Sequence, residues 1–215
     1  MRASAIEHLA DKAVERQIEG RRAEYAVEMR RIVDETFALV QRTGSLEPSM
    51  REILAETGLS TQAFYRYFSS KDELMLALLD DGRRRLVETL QRRMAETTDP
   101  AQQVRAWIEG VLAQASNGDA AARTRPWVLS EQRLAELFPP EQQASVDALV
   151  ALLAEPIERL RAGASPKSKD DAALASMVYQ LTFAVLRSHL VADTKPNARE
   201  QRVLVDFCLK GVSST

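Results

Sequence analysis

Between Met50 and Phe68 the chain reads as two short helical runs separated by only Gly58-Leu59-Ser60. A reversal that tight favours a left-handed backbone, which glycine adopts without steric cost. Two short helices joined this way cannot bury an apolar face by themselves, so another helix must cover them. The preceding segment "RRAEYAVEMRRIVDETFALVQRTG" offers one. Tyr25, Met29, Ile32, Val33, Thr36, Phe37 and Val40 recur at helical spacing, with Arg and Glu on the opposite face. Gly44 is its expected stop. Ser49 with Glu52 three residues on predicts a capping box at the start of the first short helix. Ser60 or Thr61 caps the second, which ends near Phe68. Ser70 with Glu73 then opens a longer helix, "KDELMLALLDDGRRRLVETLQRRMAE".

The second short helix carries four aromatic residues within five positions, Phe64, Tyr65, Tyr67 and Phe68. Phe64 and Phe68 stand four apart, so they share one side and point inward with Ile53, Leu54 and Leu59. That leaves Thr61, Gln62, Ala63, Tyr65, Arg66 and Tyr67 on the outer side. Residues 1–71 contain eleven Lys/Arg and eleven Asp/Glu, yet from Gly58 to Lys71 there are two cations and no anions. A helix that enters a DNA major groove needs this kind of face: no acids to repel phosphate, short side chains for approach, and donors for bases and phosphates. Lys71 and the first amides of its helix form a second place for an anion. The tyrosine hydroxyls can donate to phosphate oxygens while their rings pack.

The rest of the chain is also helical in period. Helices are expected over "AQQVRAWIEGVLAQAS", over "DAAARTRPWVLSEQRLAELF" with a kink or break at Pro126, and from Pro139-Pro140 through a bend at Pro156. After a linker, "GASPKSK", the segment 171–192 is nearly apolar on all sides and is expected to be buried on more than one face. An amphipathic helix over 197–212 closes the chain. No strand pattern and no internal repeat is present. The fold class expected is all-α: an N-terminal three-helix helix-turn-helix DNA-binding domain plus a larger C-terminal helical domain.

Other chemistry finds little support. The net charge is −2, so a polyanion partner must be met by a local patch. The single cysteine, Cys208, excludes an internal disulfide or a thiolate metal cluster. No HExxH, phosphate-binding glycine loop or nucleophile elbow occurs. No cofactor or metal is expected, and His189 reads as a satisfied core or pocket histidine. No apolar run is long enough to cross a bilayer, and the first twenty residues lack a secretory signal, so a cytoplasmic location is expected. The five arginines from Arg83 to Arg93 read as a solvated face. Arg21 and Arg22 can be a basic arm, but residues 1–20 read equally as a plain solvated helix.

The run "IVDETFALVQRTG" followed by "SMREILAETGLSTQAFYRYFSSKDELMLALLD" resembles the DNA-binding domain of the TetR (tetracycline repressor) family of bacterial transcription regulators. The signature is Gly-Leu-Ser, then Phe-Tyr-x-Tyr-Phe, then Ser-Lys-Asp-Glu-Leu in fixed register, over roughly residues 28–80. The family often has alanine where Leu54 and Thr57 stand, and a small residue at Gln62. The resemblance places Ser49, Thr61, Gln62, Ala63, Tyr65, Tyr67 and Lys71 on DNA-contacting positions, with Arg66 beside them. It implies an N-terminal extension (1–24), a helix-turn-helix domain (25–80) and a ligand-binding and dimerisation domain (81–215). It further implies a homodimer on a palindromic operator in double-stranded DNA, with repression released by a small-molecule effector. Trp107, Trp127, Phe138, Tyr179, Phe183 and His189 are the candidate pocket residues, although each can equally be ordinary core. Leu174, Val178, Leu181, Val185, Leu204 and Phe207 are the candidate dimer contacts. Two alternatives stay open. One is a regulator without a ligand, governed by abundance or a protein partner. The other is a helical enzyme or carrier that uses the helix-turn-helix only as scaffold.

Overall fold

The computed structural model describes residues 2–116, 118–161 and 169–213. Among them are ten α-helices, a 3-10 turn at Ala113–Ala115 and no strand. The helices are α1 (Arg2–Thr43), α2 (Met50–Thr57), α3 (Thr61–Tyr67), α4 (Lys71–Met94), α5 (Pro100–Leu112), α6 (Gly118–Leu129), α7 (Glu131–Leu137), α8 (Pro139–Arg161), α9 (Lys169–Ala192) and α10 (Ala198–Ser213). The chain divides into two compact units, one of Met1–Val40 and Glu47–Leu78, the other of Gln41–Leu46 and Leu79–Thr215. Both α1 and α4 contribute residues to each unit. The expected "GASPKSK" linker covers 163–169; residues 163–168 lie outside the described residues, and Lys169 opens α9.

The first unit is held by a small core. Ile32, Val33, Leu39 and Val40 of α1, Ile53 of α2, Phe64 of α3, Phe68, and Leu74, Met75 and Leu78 of α4 are all buried. Phe37, Leu54 and Leu59, expected inside, are only half-buried. Two buried hydroxyls are satisfied within their own helices: Thr36 Oγ1 donates to the Ile32 carbonyl and Thr57 Oγ1 to that of Ile53, each at 2.8 Å. α1 is far longer than the core requires. It begins at Arg2, and residues 8–27 are exposed. The first twenty-odd residues are thus one continuous helix with the covering helix, the solvated-helix alternative of the sequence reading.

The second unit is built around α5, which packs against α8, α9 and α10. Trp107 is fully buried, and its Nε1 donates to the Leu149 carbonyl of α8 at 3.2 Å. Ile108, Val111 and Leu112 share this core with Leu153 and Ile157 of α8 and with Tyr179, Leu186 and Leu190 of α9. Gly110 lets α4 approach α5: a Cβ there would meet Leu90 Cδ2 at 2.6 Å. Cys208 lies in the same core, where burial pushes its thiol up to about 11. The two helix prolines behave differently from expectation. α6 runs on through Pro126 to Leu129, and the break comes at Ser130; α8 runs on through Pro156 to Arg161. Pro126 sits late in its helix, so only a few residues follow before the chain turns.

α9 is the larger correction. Its inner side is buried, but Met177 and Val191 are exposed, so the helix is not enclosed on all sides. Val178 (4% exposed) and Leu204 (6%), expected at a dimer contact, belong to the protomer's own core. A helix apolar all round gives no moment from which to tell which side faces inward. The exposed apolar residues of these two helices are instead Met177, Val203 and Phe207, the last 66% exposed.

Gly110→Ala tests the α4–α5 approach. Alanine favours a helix by up to about 1 kcal/mol over glycine, but overpacking against Leu90 costs about 1–3 kcal/mol. A net loss of stability is expected in urea unfolding.

Candidate nucleic-acid interface

The interface is assembled from local rules. α2 begins at Ser49, whose hydroxyl accepts from Glu52 N at 3.2 Å, while Glu52 Oε2 accepts from Ser49 N at 2.7 Å. The expected capping box is therefore present. The Ser49 hydroxyl also donates to Glu52 Oε2 at 2.7 Å, so it is engaged within the cap. α2 ends at Gly58, with φ 65° and ψ 14°. Ser60 caps α3 by accepting from Ala63 N at 3.1 Å. At the next junction the bonding is shifted by one residue from expectation. Ser70 Oγ accepts from Glu73 N at 3.1 Å, but the Glu73 carboxylate takes bonds from Ser69, from its N–H at 2.5 Å and its hydroxyl at 2.6 Å. Hydrogen bonds from Ser49 hold the Glu52 carboxyl below the usual carboxylate range, and those from Ser69 do the same for Glu73.

Within this frame α3 is pinned from inside. Phe64 and Phe68 are fully buried, with ring centroids 5.7 Å apart. On the other side Thr61, Gln62, Tyr65 and Arg66 are exposed, Tyr65 by 54%. Ala63, Tyr67 and Lys71 are half-buried. Tyr65 sets the edge of its ring against Phe64, centroids 5.4 Å apart, and projects outward from there. Tyr67 packs against Tyr25 of α1, centroids 4.9 Å apart. Tyr25, expected on the buried stripe, is exposed on its remaining side. The seven candidates from Thr61 to Lys71 are thus gathered on one short stretch with no acid among them, and Ser49 stands at the start of α2.

A residue that sequence reasoning missed is Arg31. Its guanidinium donates to the Thr57 carbonyl at 3.1 Å, at the end of α2, and pairs with Glu28 at 2.5 Å and Glu35 at 2.6 Å. Those hydrogen bonds push the guanidinium pKa further up, above its already high value. Arg31 therefore ties the covering helix to the helix-turn-helix. The signal was present as Glu at i−3 and i+4 around Arg31. The α4 arginines are similarly engaged: Arg83 pairs with Asp80, and Arg84 and Arg85 pair with the buried Asp81.

The effector and dimer candidates lie in the second unit. Trp107 and Tyr179 are core, and Tyr179 stacks on Phe183 with centroids 4.4 Å apart. Trp127 and Phe138 are half-buried. A groove of about 500 Å³ runs beside Leu181, Val185, Val203, Leu204 and Phe207. A smaller cavity of about 60 Å³ is lined by Arg125, His189 and the α9–α10 connection. Neither is lined by Trp107, Trp127, Phe138, Tyr179 or Phe183. His189 is satisfied: Nδ1 lies 2.8 Å from Thr194 Oγ1 and Nε2 lies 2.9 Å from Glu200 Oε2. Among the described residues no helix is long and apolar enough to cross a membrane.

A short helix with a buried aromatic anchor and an exposed, acid-free face, set after a glycine turn, defines a helix-turn-helix DNA-binding protein. Residues 32–78 match the family model described as "Bacterial regulatory proteins, tetR family", and the chain is a TetR-family DNA-binding transcriptional regulator, not an enzyme. Solved structures share the fold at low identity. A TetR transcription regulator from Haloarcula marismortui is 18% identical, with TM-score 0.69, over 88% of this chain and 98% of that one. FadR from Bacillus subtilis in complex with stearoyl-CoA is 14% identical, with TM-score 0.64, over 86% and 97%. The reduced form of NemR from E. coli is 19% identical, with TM-score 0.62, over 87% and 96%. No curated protein sequence matches the chain.

The two capping carboxylates give a pH prediction. Their folded-state values are depressed, so the stability they supply is present above the ordinary carboxylate range and is lost as pH falls through it. Acid titration followed by NMR should loosen the ends of α2 and α4 with the Glu52 and Glu73 titrations. Glu52→Gln and Glu73→Gln should remove that pH dependence.

Proposed function

We propose that this regulator is a homodimeric, cytoplasmic repressor that reads a palindromic operator through α3 and leaves it when a small molecule binds the second unit. The observation that carries the reading is the face of α3. Thr61, Gln62, Tyr65 and Arg66 are exposed together, Lys71 follows, and Phe64 and Phe68 hold that face outward from a buried core. Gln62 has an exposed amide with two donors and an acceptor, the chemistry that reads an adenine edge bidentately. Tyr65, Tyr67, Arg66 and Lys71 supply donors for phosphate. Ala63 allows close approach. Ser49 has its hydroxyl in the cap, so its contribution is to hold α2 in place.

Dimerisation follows from affinity. A single seven-residue reading helix contacts few bases, whereas a two-fold pair reads two half-sites. The exposed Met177, Val203 and Phe207 and the adjoining groove, with Leu181, Val185 and Leu174 half-buried nearby, support α9 and α10 as the self-complementary face. Release follows from linkage: a ligand that prefers a state with the wrong spacing of reading heads lowers DNA affinity by that preference. The similar FadR structure holds stearoyl-CoA, which supports a ligand in this fold. Here Trp107, Tyr179 and Phe183 pack on one another, so a ligand entering among them must open the core. α4, which supplies residues to both units, is the element proposed to transmit the change.

Two tests follow. Gln62→Ala should lose about 1–3 kcal/mol on the preferred operator and relax its base preference, whereas Lys71→Ala should weaken all sequences alike and reduce the salt slope by about 1. Equal losses on operator and random DNA for Gln62→Ala would contradict its reading role. Phe207→Glu should shift the protein to monomer in sizing with light scattering and weaken operator binding, without altering the fold by circular dichroism. A dimer that persists would place the interface elsewhere.

A further inference from the structure

The small cavity near the start of α6 has a composition that the aromatic core lacks. It is lined by Ala115, Gly118, Ala121 and Leu190 on its apolar side, and by Arg125, His189, Asp193, Thr194 and Lys195 on its polar side. At about 60 Å³ it has room for a few water-sized groups. Arg125 reaches it from α6. The outer end of its guanidinium pairs with Asp193, whose side chain is 81% exposed. Its Nε is enclosed and has no hydrogen-bond partner among the described residues. A guanidinium N–H aimed inward without an acceptor is a group that a bound oxyanion satisfies.

The surroundings favour an anion over a cation. Asp193 is the single carboxylate lining the cavity, and it is at the solvent edge, already joined to Arg125. His189 does not add negative character, because both ring nitrogens are engaged. Its Nε2–H faces Glu200, and its Nδ1 takes the Thr194 hydroxyl. Lys195 brings a second cation. The connection that carries these groups has a defined shape, since Asp193 holds φ at 54° and Thr194 N donates to the His189 carbonyl at 3.0 Å.

We propose that this cavity binds an oxyanion of carboxylate or phosphate size, with Arg125 as its principal donor and Lys195 as its second cation, and that it seats the anionic end of the effector. The last step rests on the ligand-released repression described above; the site itself does not. The site lies where α6, the end of α9 and the α9–α10 connection meet. An anion there ties three segments together, and α10 belongs to the proposed dimer face.

The test uses the full chain with sodium acetate or inorganic phosphate as probe, at constant ionic strength set with chloride. Wild-type protein is expected to show a saturable rise in Tm with one or both anions. Arg125→Gln should abolish the rise, and Lys195→Gln should weaken it. Arg125→Lys keeps the charge and the pairing with Asp193 but removes the Nε–H; it should fold as wild type and still lose most of the response. No saturable rise in wild type, or an equal rise in Arg125→Lys and Arg125→Gln, would overturn the site. A response to acetate but not phosphate assigns a carboxylate ligand, and the reverse assigns a phosphate. Operator binding measured with the same anion is the second readout. A lower affinity for wild type but not for Arg125→Lys supports the effector assignment. Unchanged affinity despite the Tm response overturns that assignment and leaves the anion site standing. A wild type that binds no operator in either condition would count against the repressor reading, not against the cavity.

Discussion

A seven-residue helix has no stability of its own in water, because nucleation consumes most of what so few hydrogen bonds return. α3 exists because Phe64 and Phe68 are buried at i and i+4 against the core of the first unit. That single constraint fixes the rest of the reading head. With two aromatic rings inside, the helix cannot rotate, and Thr61, Gln62, Tyr65 and Arg66 are forced outward. Truncating such a ring costs about 3–5 kcal/mol, a large share of what a small unit has. The capping boxes and the Arg31 tie to Thr57 then set where the neighbouring helices start and stop. They are individually weak contacts, but they act on an element that packing has already placed.

Much of the first unit was legible in the sequence because its determinants are local. The Ser49–Glu52 box, the left-handed turn at Gly58 and the Phe64–Phe68 pair each follow from spacing and residue type alone. What escaped was the tertiary detail. Arg31 read as a free cation, yet it spans α1 and α2. Tyr25 read as core, yet it covers Tyr67 while staying half in solvent. Glu73 was expected to pair with Ser70, but a carboxylate has room to reach one residue further back, and it takes both the N–H and the hydroxyl of Ser69.

The second unit was legible as helices but not as faces. Segment 171–192 has apolar residues all round, so pattern alone could not separate the buried Val178 from the exposed Met177. The aromatic residues chosen as a pocket include true core, with the Trp107 indole spent on a backbone carbonyl. The polar cavity at Arg125 drew no attention because its parts are scattered: one arginine on α6, one histidine on α9, and a short connection whose shape only the fold reveals. A family-level pattern covers the reading head, whereas the second unit is known through fold similarity at 14–19% identity. That asymmetry is physical. DNA presents the same surface to every reading head, but effectors differ, and the body that binds them is free to diverge.

The central claim is that the acid-free face of α3 meets DNA. Hydrogen–deuterium exchange of the full chain, with and without a selected operator duplex, measures this most directly. The account predicts protection concentrated in residues 58–71, with the second unit little changed at that stretch's timescale. Protection confined to residues 8–27 or to α4 beyond Leu79, with 58–71 exchanging as in the free protein, would contradict it.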